Sequence, residues 1–285
     1  MTTTSLPDWA HRYLAHIGLQ PEPPSLHALT AICRAHLSQI PFENISKLLY
    51  LRDSPQNGFH IPPLDMFVDN LYRYDYGGTC YTLNPHAQQL LRTLGYQVDL
   101  VQLGNDHVGL LAELPERPGE RLYLDFGSAS PFFQPVSFEK NPDNLTVFGV
   151  DEIRLLPDSE QPGWYRFTRY RHGEQLSNEW IFHPEHRCGF ADFATSIERS
   201  NQPGALFLNH LRCQLWQPDR GRNLSLLNNH LTIRTSDKGE TQQDLRSVTE
   251  IEQVLAEEFG LPKLPVREAV EVLESLGVDI FAPRT

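Results

Sequence analysis

Tyr76-Gly77-Gly78-Thr79-Cys80-Tyr81-Thr82-Leu83-Asn84 sets a cysteine directly behind two glycines and at the head of an apolar-periodic segment. Cys80, Leu83, Ala87, Leu90, Leu91 and Leu94 keep three- and four-residue spacings, which predicts a helix with one buried face. Cys80 then lies at the helix N-terminus, where unpaired amide N–H groups and the helix dipole favour thiolate over thiol. The glycines permit the sharp backbone entry that such a turn requires. A thiol in this setting is a candidate nucleophile. Cysteines in folded proteins are more often inert buried hydrophobes. Cys33, in a leucine- and alanine-rich stretch, and Cys188 and Cys213, with no comparable entry, are read that way.

Working outward, the first third of the chain predicts helices over 8–16, 25–37, 42–49, 64–72 and the Cys80 helix to about 94, punctuated by Pro7, Gly18, the 21–24 turn and Gly95. From residue 97 the pattern changes to short strands over 98–103, 107–114 and 121–126, separated by Gly, Asn and Pro turns. Further strands are predicted over 153–156, 164–170, 179–182, 211–216 and 231–234, and helices return over 247–259 and 265–276. Helices, then strands, then strands with terminal helices predict an α+β protein of consecutive modules, with boundaries at 1–95, 96–200 and 201–285. A chain of 285 residues is long enough to bury a sizeable core.

Four cysteines without paired spacing do not read as a disulfide scaffold, and Met1-Thr-Thr-Thr-Ser lacks the basic start and apolar run of a secretory leader. No run approaches the roughly 18 apolar residues that a membrane span needs. A cytoplasmic location and no membrane partner are expected, and the Asn-x-Ser/Thr matches at Asn44, Asn144 and Asn223 are read as chance. The formal net charge of -12 argues against a nucleic-acid partner, which needs clustered Lys and Arg. Arg166, Arg169 and Arg171, with Arg212, Arg220 and Arg222, are the basic places where a phosphorylated cofactor would dock; the alternative is ordinary solvated strand faces.

A cysteine nucleophile needs a base, and the base needs a group to orient it. His107 opens one predicted strand and Asp125 closes the next, and adjacent antiparallel strands bring one's start beside the other's end. An imidazolium held by Asp125 and facing Cys80 stabilises the thiolate as an ion pair, the Cys-His-Asp arrangement of acyl transfer. With 12 histidines in the chain, a lone histidine means little. His86 is too far round its helix to meet the thiol. His183, His186 and Cys188 invite a metal reading but lack a second pair of ligands, so no metal is expected. Asp125-Phe126-Gly127 matches a kinase tripeptide without the glycine-rich and catalytic loops of that fold.

The order His36-x-x-x-Ile40-Pro41-Phe42-Glu43-Asn44, then Gly77-Gly78-Thr79-Cys80-x-x-x-Asn84, His107 and Asp125-x-Gly127 resembles the arylamine N-acetyltransferase family. Asp192-Phe193, Leu206-Phe207, Gly221-Arg222-x-Leu224 and Leu255-x-x-x-Phe259-Gly260-Leu261 extend the resemblance over nearly the whole chain. It implies an N-terminal helical bundle, a central antiparallel β-barrel-like domain and a C-terminal α/β lid, around a core like that of cysteine peptidases. It also implies a triad of Cys80, His107 and Asp125. Cys80 would take an acetyl or other acyl group from a CoA thioester and pass it to an amine such as an arylamine, in ping-pong fashion. No cofactor would be bound permanently; acetyl-CoA or another acyl thioester is the co-substrate. Phe42 matches a position lining the acceptor pocket, and Gly127, Ser128 and Ala129 occupy the loop that touches donor and acceptor. For Phe42 the alternative is a core aromatic at a helix start.

The chain departs from that pattern around the thiol. Tyr76 and Thr82 stand where the family has an arginine and an acidic residue, and Arg73 is a candidate substitute for the arginine, which Glu43 and Asn44 would support. Ser128 and Ala129 replace an aromatic and a glycine, and the loop between Cys80 and His107 is trimmed to a turn at Gly104-Asn105-Asp106. The resemblance therefore also admits an amide synthase or cyclase that releases an acyl chain from a carrier-protein thioester. Cysteine peptidases and transglutaminase-like enzymes share the triad but leave the Pro-Phe-Glu-Asn motif unexplained.

Overall fold

The computed structural model describes residues 6–53, 61–176 and 180–283. The chain opens with α1 (Asp8–His16) and α2 (Leu26–Gln39), followed by a two-residue strand β1 (Phe42–Glu43), α3 (Ile45–Asp53), α4 (Leu64–Tyr74) and α5 (Cys80–Thr93). Ser25 caps α2 by accepting the Ala28 N–H, satisfying one of the donors that a helix start leaves open. The strands β2 (Gln97–Leu103), β3 (His107–Leu114) and β4 (Arg117–Leu124) form an antiparallel meander. Then come β5 (Thr146–Phe148), β6 (Asp151–Pro157), β7 (Tyr165–Arg171), β8 (Glu174–Gln175), β9 (Trp180–Phe182) and β10 (Arg187–Cys188). A short α6 (Ala194–Arg199) leads to β11 (Arg212–Gln217), β12 (Arg222–Leu227), β13 (His230–Thr235), β14 (Glu240–Asp244), α7 (Val248–Glu257) and α8 (Val266–Ser275).

The strands make three sheets: β1-β11-β12-β13-β14, β10-β2-β3-β4, and β5-β6-β7-β8 with β9 on β7. The protein is α+β, and the expected central barrel is corrected: none of these sheets closes on itself. The meander's ladder stops at β4: among the described residues the next segment pairs its backbone with β4 only at the Tyr123–Val136 bridge. That segment carries Pro131 and Pro135, which have no N–H to give to a ladder. On the other side a backbone hydrogen bond, Gly104 N–H to the Ile181 carbonyl at 3.0 Å, links the end of β2 to the third sheet.

Two further expectations change. Phe42 does not begin a helix. Phe42 and Glu43 pair with Gln214 and Cys213 as an edge strand, and the helix starts only at Ile45. The reason is Glu43, whose carboxylate accepts the Ser46 N–H at 2.8 Å and so caps the turn that follows it. The Cys80 helix is not amphipathic at its start: every residue from Cys80 to Gln88 is buried. It runs against β2 and β3, and its polar side chains are pinned to backbone. Asn84 donates to Val108, Gln88 donates to Val98, and the His86 ring lies within hydrogen-bond range of the carbonyls of Thr82 and Pro62. The strand expected from 179 begins at Trp180; Glu179 and the N-terminal Met1–Ser5 stretch lie outside the described residues.

The apolar core falls into two clusters. One joins α1, α2, α4 and α5 to the second and third sheets, and the other joins α3 to the first sheet, α7 and α8. Among the described residues no helix is long and apolar enough to cross a membrane.

Candidate active site

Cys80 opens α5 and is buried at 6% exposure, with its Sγ 3.9 Å from the Asp106 carbonyl oxygen. His107 opens β3, and Asp125 follows the last residue of β4. The register pairs Leu110 with Leu124, so Asp125 comes to lie diagonally across from His107. His107 Nε2 is 2.8 Å from Asp125 Oδ2, and the Cys80 sulfur lies near enough to the imidazole to favour its protonation. Burial works against the imidazolium, but the Asp125 carboxylate and the Cys80 sulfur outweigh it and raise His107 above its ordinary value. Burial likewise works against charge on Asp125, and the facing His107 with its hydrogen-bond donors holds it below the usual carboxylate range.

Asp125 is saturated with donors. Oδ1 accepts from Asn84 Nδ2 at 3.0 Å and from the Gly127 N–H at 2.8 Å; Oδ2 accepts the Tyr123 hydroxyl at 2.8 Å besides His107. Asn84 also accepts the Phe126 N–H at 2.8 Å, tying α5 to the loop that follows Asp125. Trp180 stacks on the His107 ring, with centroids 4.2 Å apart and planes at 9°, and fixes its plane. Gly127 packs on Cys80 itself: a Cβ there would lie 2.4 Å from Cys80 Cα, so no side chain fits.

A cavity of about 210 Å³ opens beside the thiol. Thr79, Tyr81, Asn105 and Asp106 form one wall and residues of the 196–207 segment, including Leu206 and Phe207, the other. The trimmed turn is held in place, with Trp180 Nε1 donating to Asp106 Oδ1 and Ser196 Oγ donating to the Asn105 carbonyl. Phe42 stands one ring back from this cavity, edge-on to Phe207 at 5.6 Å. Ser128 is buried with its Oγ unpartnered, and Ala129 lines a different cavity, described below.

The replaced residues have settled into other roles. Tyr76 is buried and stacks on Tyr74 at 5.0 Å, and Thr82 fills the space over Gly78. Arg73 is exposed beside the Tyr74 ring and does not substitute for the expected arginine. Glu43 binds Ser46 and the Gly77 N–H at 3.0 Å, and burial raises its carboxyl. Asn44 donates to the carbonyls of Phe207 and His210 and accepts the Arg212 N–H.

Sequence reasoning missed Lys47. Its buried amine donates to Ser200 Oγ at 3.0 Å and Asn201 Oδ1 at 2.6 Å, lies near enough to the Cys80 sulfur to feel its charge, and is pushed down by burial to about 8. A lysine three residues after Pro-Phe-Glu-Asn, among Ile45, Leu48 and Leu49, was the available signal. Tyr123 and Trp180 were also missed, since nothing local marks either. Among the described residues no cluster of His, Cys, Asp and Glu is arranged to hold a metal; His183 and His186 stack on each other at 4.3 Å beside Trp164.

A family model described as N-acetyltransferase matches residues 25–266. Among curated proteins, the arylamine N-acetyltransferase / N-hydroxyarylamine O-acetyltransferase of Salmonella typhimurium is 26% identical over 269 residues, 88% of each chain. A solved arylamine N-acetyltransferase from Salmonella typhimurium matches with a TM-score of 0.78 at 21% identity, covering 95% of this chain and 100% of that one. The Mycobacterium marinum arylamine N-acetyltransferase in complex with CoA matches with a TM-score of 0.73 at 19% identity, covering 93% and 96%. At these identities the two structures establish a shared fold.

Proposed function

This chain belongs to the N-acetyltransferase family, and we propose that it moves an acetyl group from acetyl-CoA, through an acyl-Cys80 intermediate, to an arylamine or related amine. The observation that carries this reading is the buried grouping of Cys80, His107 and Asp125, with His107 Nε2 2.8 Å from the carboxylate and its ring near enough to the sulfur to feel its charge. The curated relative of that activity spans the same length of chain, and a relative of the same fold is named as a CoA complex.

In the first half-reaction the His107 imidazolium stabilises the Cys80 thiolate, which attacks the thioester carbonyl. Backbone N–H groups at the start of α5 face the developing oxyanion. Free CoA departs as a thiol, its proton supplied by His107. In the second half-reaction an unprotonated amine attacks the acyl-cysteine, His107 takes the amine proton, and the Cys80 thiolate is regenerated. Asp125 keeps the imidazole oriented throughout without itself being protonated. The largely apolar cavity at Cys80 holds the acceptor, with Phe42 supporting Phe207 in its wall.

The same reading takes residues 1–95 as the module carrying the nucleophile, 96–200 as the module carrying His107 and Asp125, and 201–285 as a lid, supported by Leu206 and Phe207 walling the cavity. The four cysteines are all unpaired, which suits a reducing cytoplasm. Intact-mass measurement after incubation with acetyl-CoA tests the proposal. An adduct of one acetyl group that disappears in Cys80→Ala and is discharged by an arylamine is expected. A protein that no acyl thioester modifies would sink it, and a protein modified by carrier-bound chains alone would favour the amide-synthase reading.

A further inference from the structure

The polar face of the first sheet is buried against another polar face. Arg212 and Gln214 on β11, Asn223 and Ser225 on β12, and Thr232 and Arg234 on β13 alternate with Cys213, Leu215, Leu224, Leu226, Leu231 and Ile233, which face the second apolar cluster. Opposite stand Asp151 of β6 and Arg169 and Arg171 of β7, and the space between is a cavity of about 290 Å³. In a chain of net charge -12, four guanidiniums converge on it.

Two are compensated: Arg171 pairs with Asp151 at 2.8 Å, and Arg234 pairs with Glu240 at 2.7 Å. The other two are not. Arg212 donates only to Gln214 Oε1 at 2.8 Å, and Arg169 donates to the Ala129 carbonyl at 3.1 Å and to Ser130 Oγ at 2.6 Å. Among the described residues neither forms an ion pair, and Arg169 Nε is buried without any partner. Both side chains are half-buried, and a guanidinium held partly out of water without a carboxylate partner favours an anion beside it. Ala129 joins this cavity to the nucleophile: its carbonyl also accepts from Gln214 Nε2 at 2.8 Å, and two residues earlier Gly127 touches Cys80. Two Cα steps span at most about 8 Å, within reach of a pantetheine arm.

We propose that this cavity binds the phosphate groups of the pantetheine thioester donor, with Arg169 and Arg212 as the pairing cations. The proposal rests on the acyl-transfer reading for the identity of the ligand. Planar guanidinium forks match phosphate oxygens two at a time, which explains arginine rather than lysine on these strands. Coenzyme A and the phosphopantetheine of a carrier protein share that chemistry.

The test follows acylation of Cys80 by mass with three donors: acetyl-CoA, acetyl-4′-phosphopantetheine and phosphate-free acetyl-pantetheine. Wild type is expected to react about tenfold to a hundredfold more efficiently with a phosphorylated donor, the value of charge-assisted hydrogen bonds. A preference for acetyl-CoA over acetyl-4′-phosphopantetheine assigns the additional phosphates of the nucleotide to the site, and equality of the two assigns the single phosphate. Arg169→Gln and Arg212→Gln should erase the preference, read within each variant as the ratio of phosphorylated to phosphate-free donor, and Arg212→Lys should retain part of it. Equal reaction of wild type with all three donors overturns the proposal and leaves acyl transfer standing. Calorimetric titration with free coenzyme A separates the opposite failure: binding that Arg169→Gln weakens, in a protein that no donor acylates, supports the phosphate site and rejects the transfer. Absence of binding and of any donor preference overturns it.

Discussion

Asp125, fully buried, and Arg169, half-buried, are charged groups on either side of the 127–130 loop, and the protein treats them in opposite ways. Asp125 has donors on both oxygens from Asn84, Tyr123, His107 and the Gly127 backbone. Among the described residues Arg169 keeps an unpartnered Nε and forms no ion pair, Asp151 across the cavity being engaged by Arg171, and the neighbouring Ser128 Oγ is unpartnered too. A saturated charge holds a geometry, as a catalytic orienter must. An open one retains the capacity to bind, because an anion that fills it relieves a desolvation cost already incurred. The loop thus separates a finished constellation from an unfinished one.

Breaking the finished side has the largest expected effect. Cys80→Ala should remove acyl transfer altogether, and the acyl adduct with it, by intact mass. Asp125→Asn should lower the transfer rate about 10²–10⁴-fold in a steady-state assay, since the imidazole loses its orienter. The same change leaves a buried imidazolium unpaired and should cost about 3 kcal/mol in denaturant unfolding. That cost depends on pH. The depressed Asp125 contributes stability above about 4 that is lost as pH falls through its folded value. The raised His107 contributes stability in full below about 6.5 that is lost as pH rises through its folded value. The gap between wild type and Asp125→Asn should therefore be widest between these limits; a gap independent of pH would show that the pair is not ionic.

Smaller effects sharpen the contrast. Asn84→Ala removes a donor to Asp125 and unpairs the Phe126 N–H, and should cost about 1–3 kcal/mol while slowing transfer less than Asp125→Asn does. Lys47→Met removes a cation near the sulfur and should slow iodoacetamide alkylation of Cys80 about threefold at neutral pH. Ala129 holds a left-handed φ of 57°, a conformation that suits glycine, so Ala129→Gly should stabilise by about 0.5–1 kcal/mol in thermal unfolding. No gain there would mean that the Arg169 and Gln214 hydrogen bonds to its carbonyl depend on the alanine.

The elements that were legible in the sequence are those whose cause is local. The helices from Asp8, Leu64 and Cys80 and the strand from His107 follow periodicity and punctuation, and their observed starts agree with the pattern. β12 and β14 were not foreseen: Arg222–Leu227 reads as turn residues around a short apolar run, and Glu240–Asp244 is polar throughout and exposed, a strand only because β13 offers it a ladder. Phe42 was misread for the same reason, since its strand pairing is supplied by Gln214, far along the chain.

By itself the sequence determined the residue types and the helix entry that make Cys80 a nucleophile candidate, together with the α+β class, because both depend on short-range spacing. Tertiary structure decided what surrounds them. It set His107 against Asp125, left Arg73 on the surface, brought Lys47 near the thiol, and faced two sheets across Arg169 and Arg212. Burial and charge pairing are properties of neighbours distant in the chain, and no local pattern encodes which buried charge will be left without a partner.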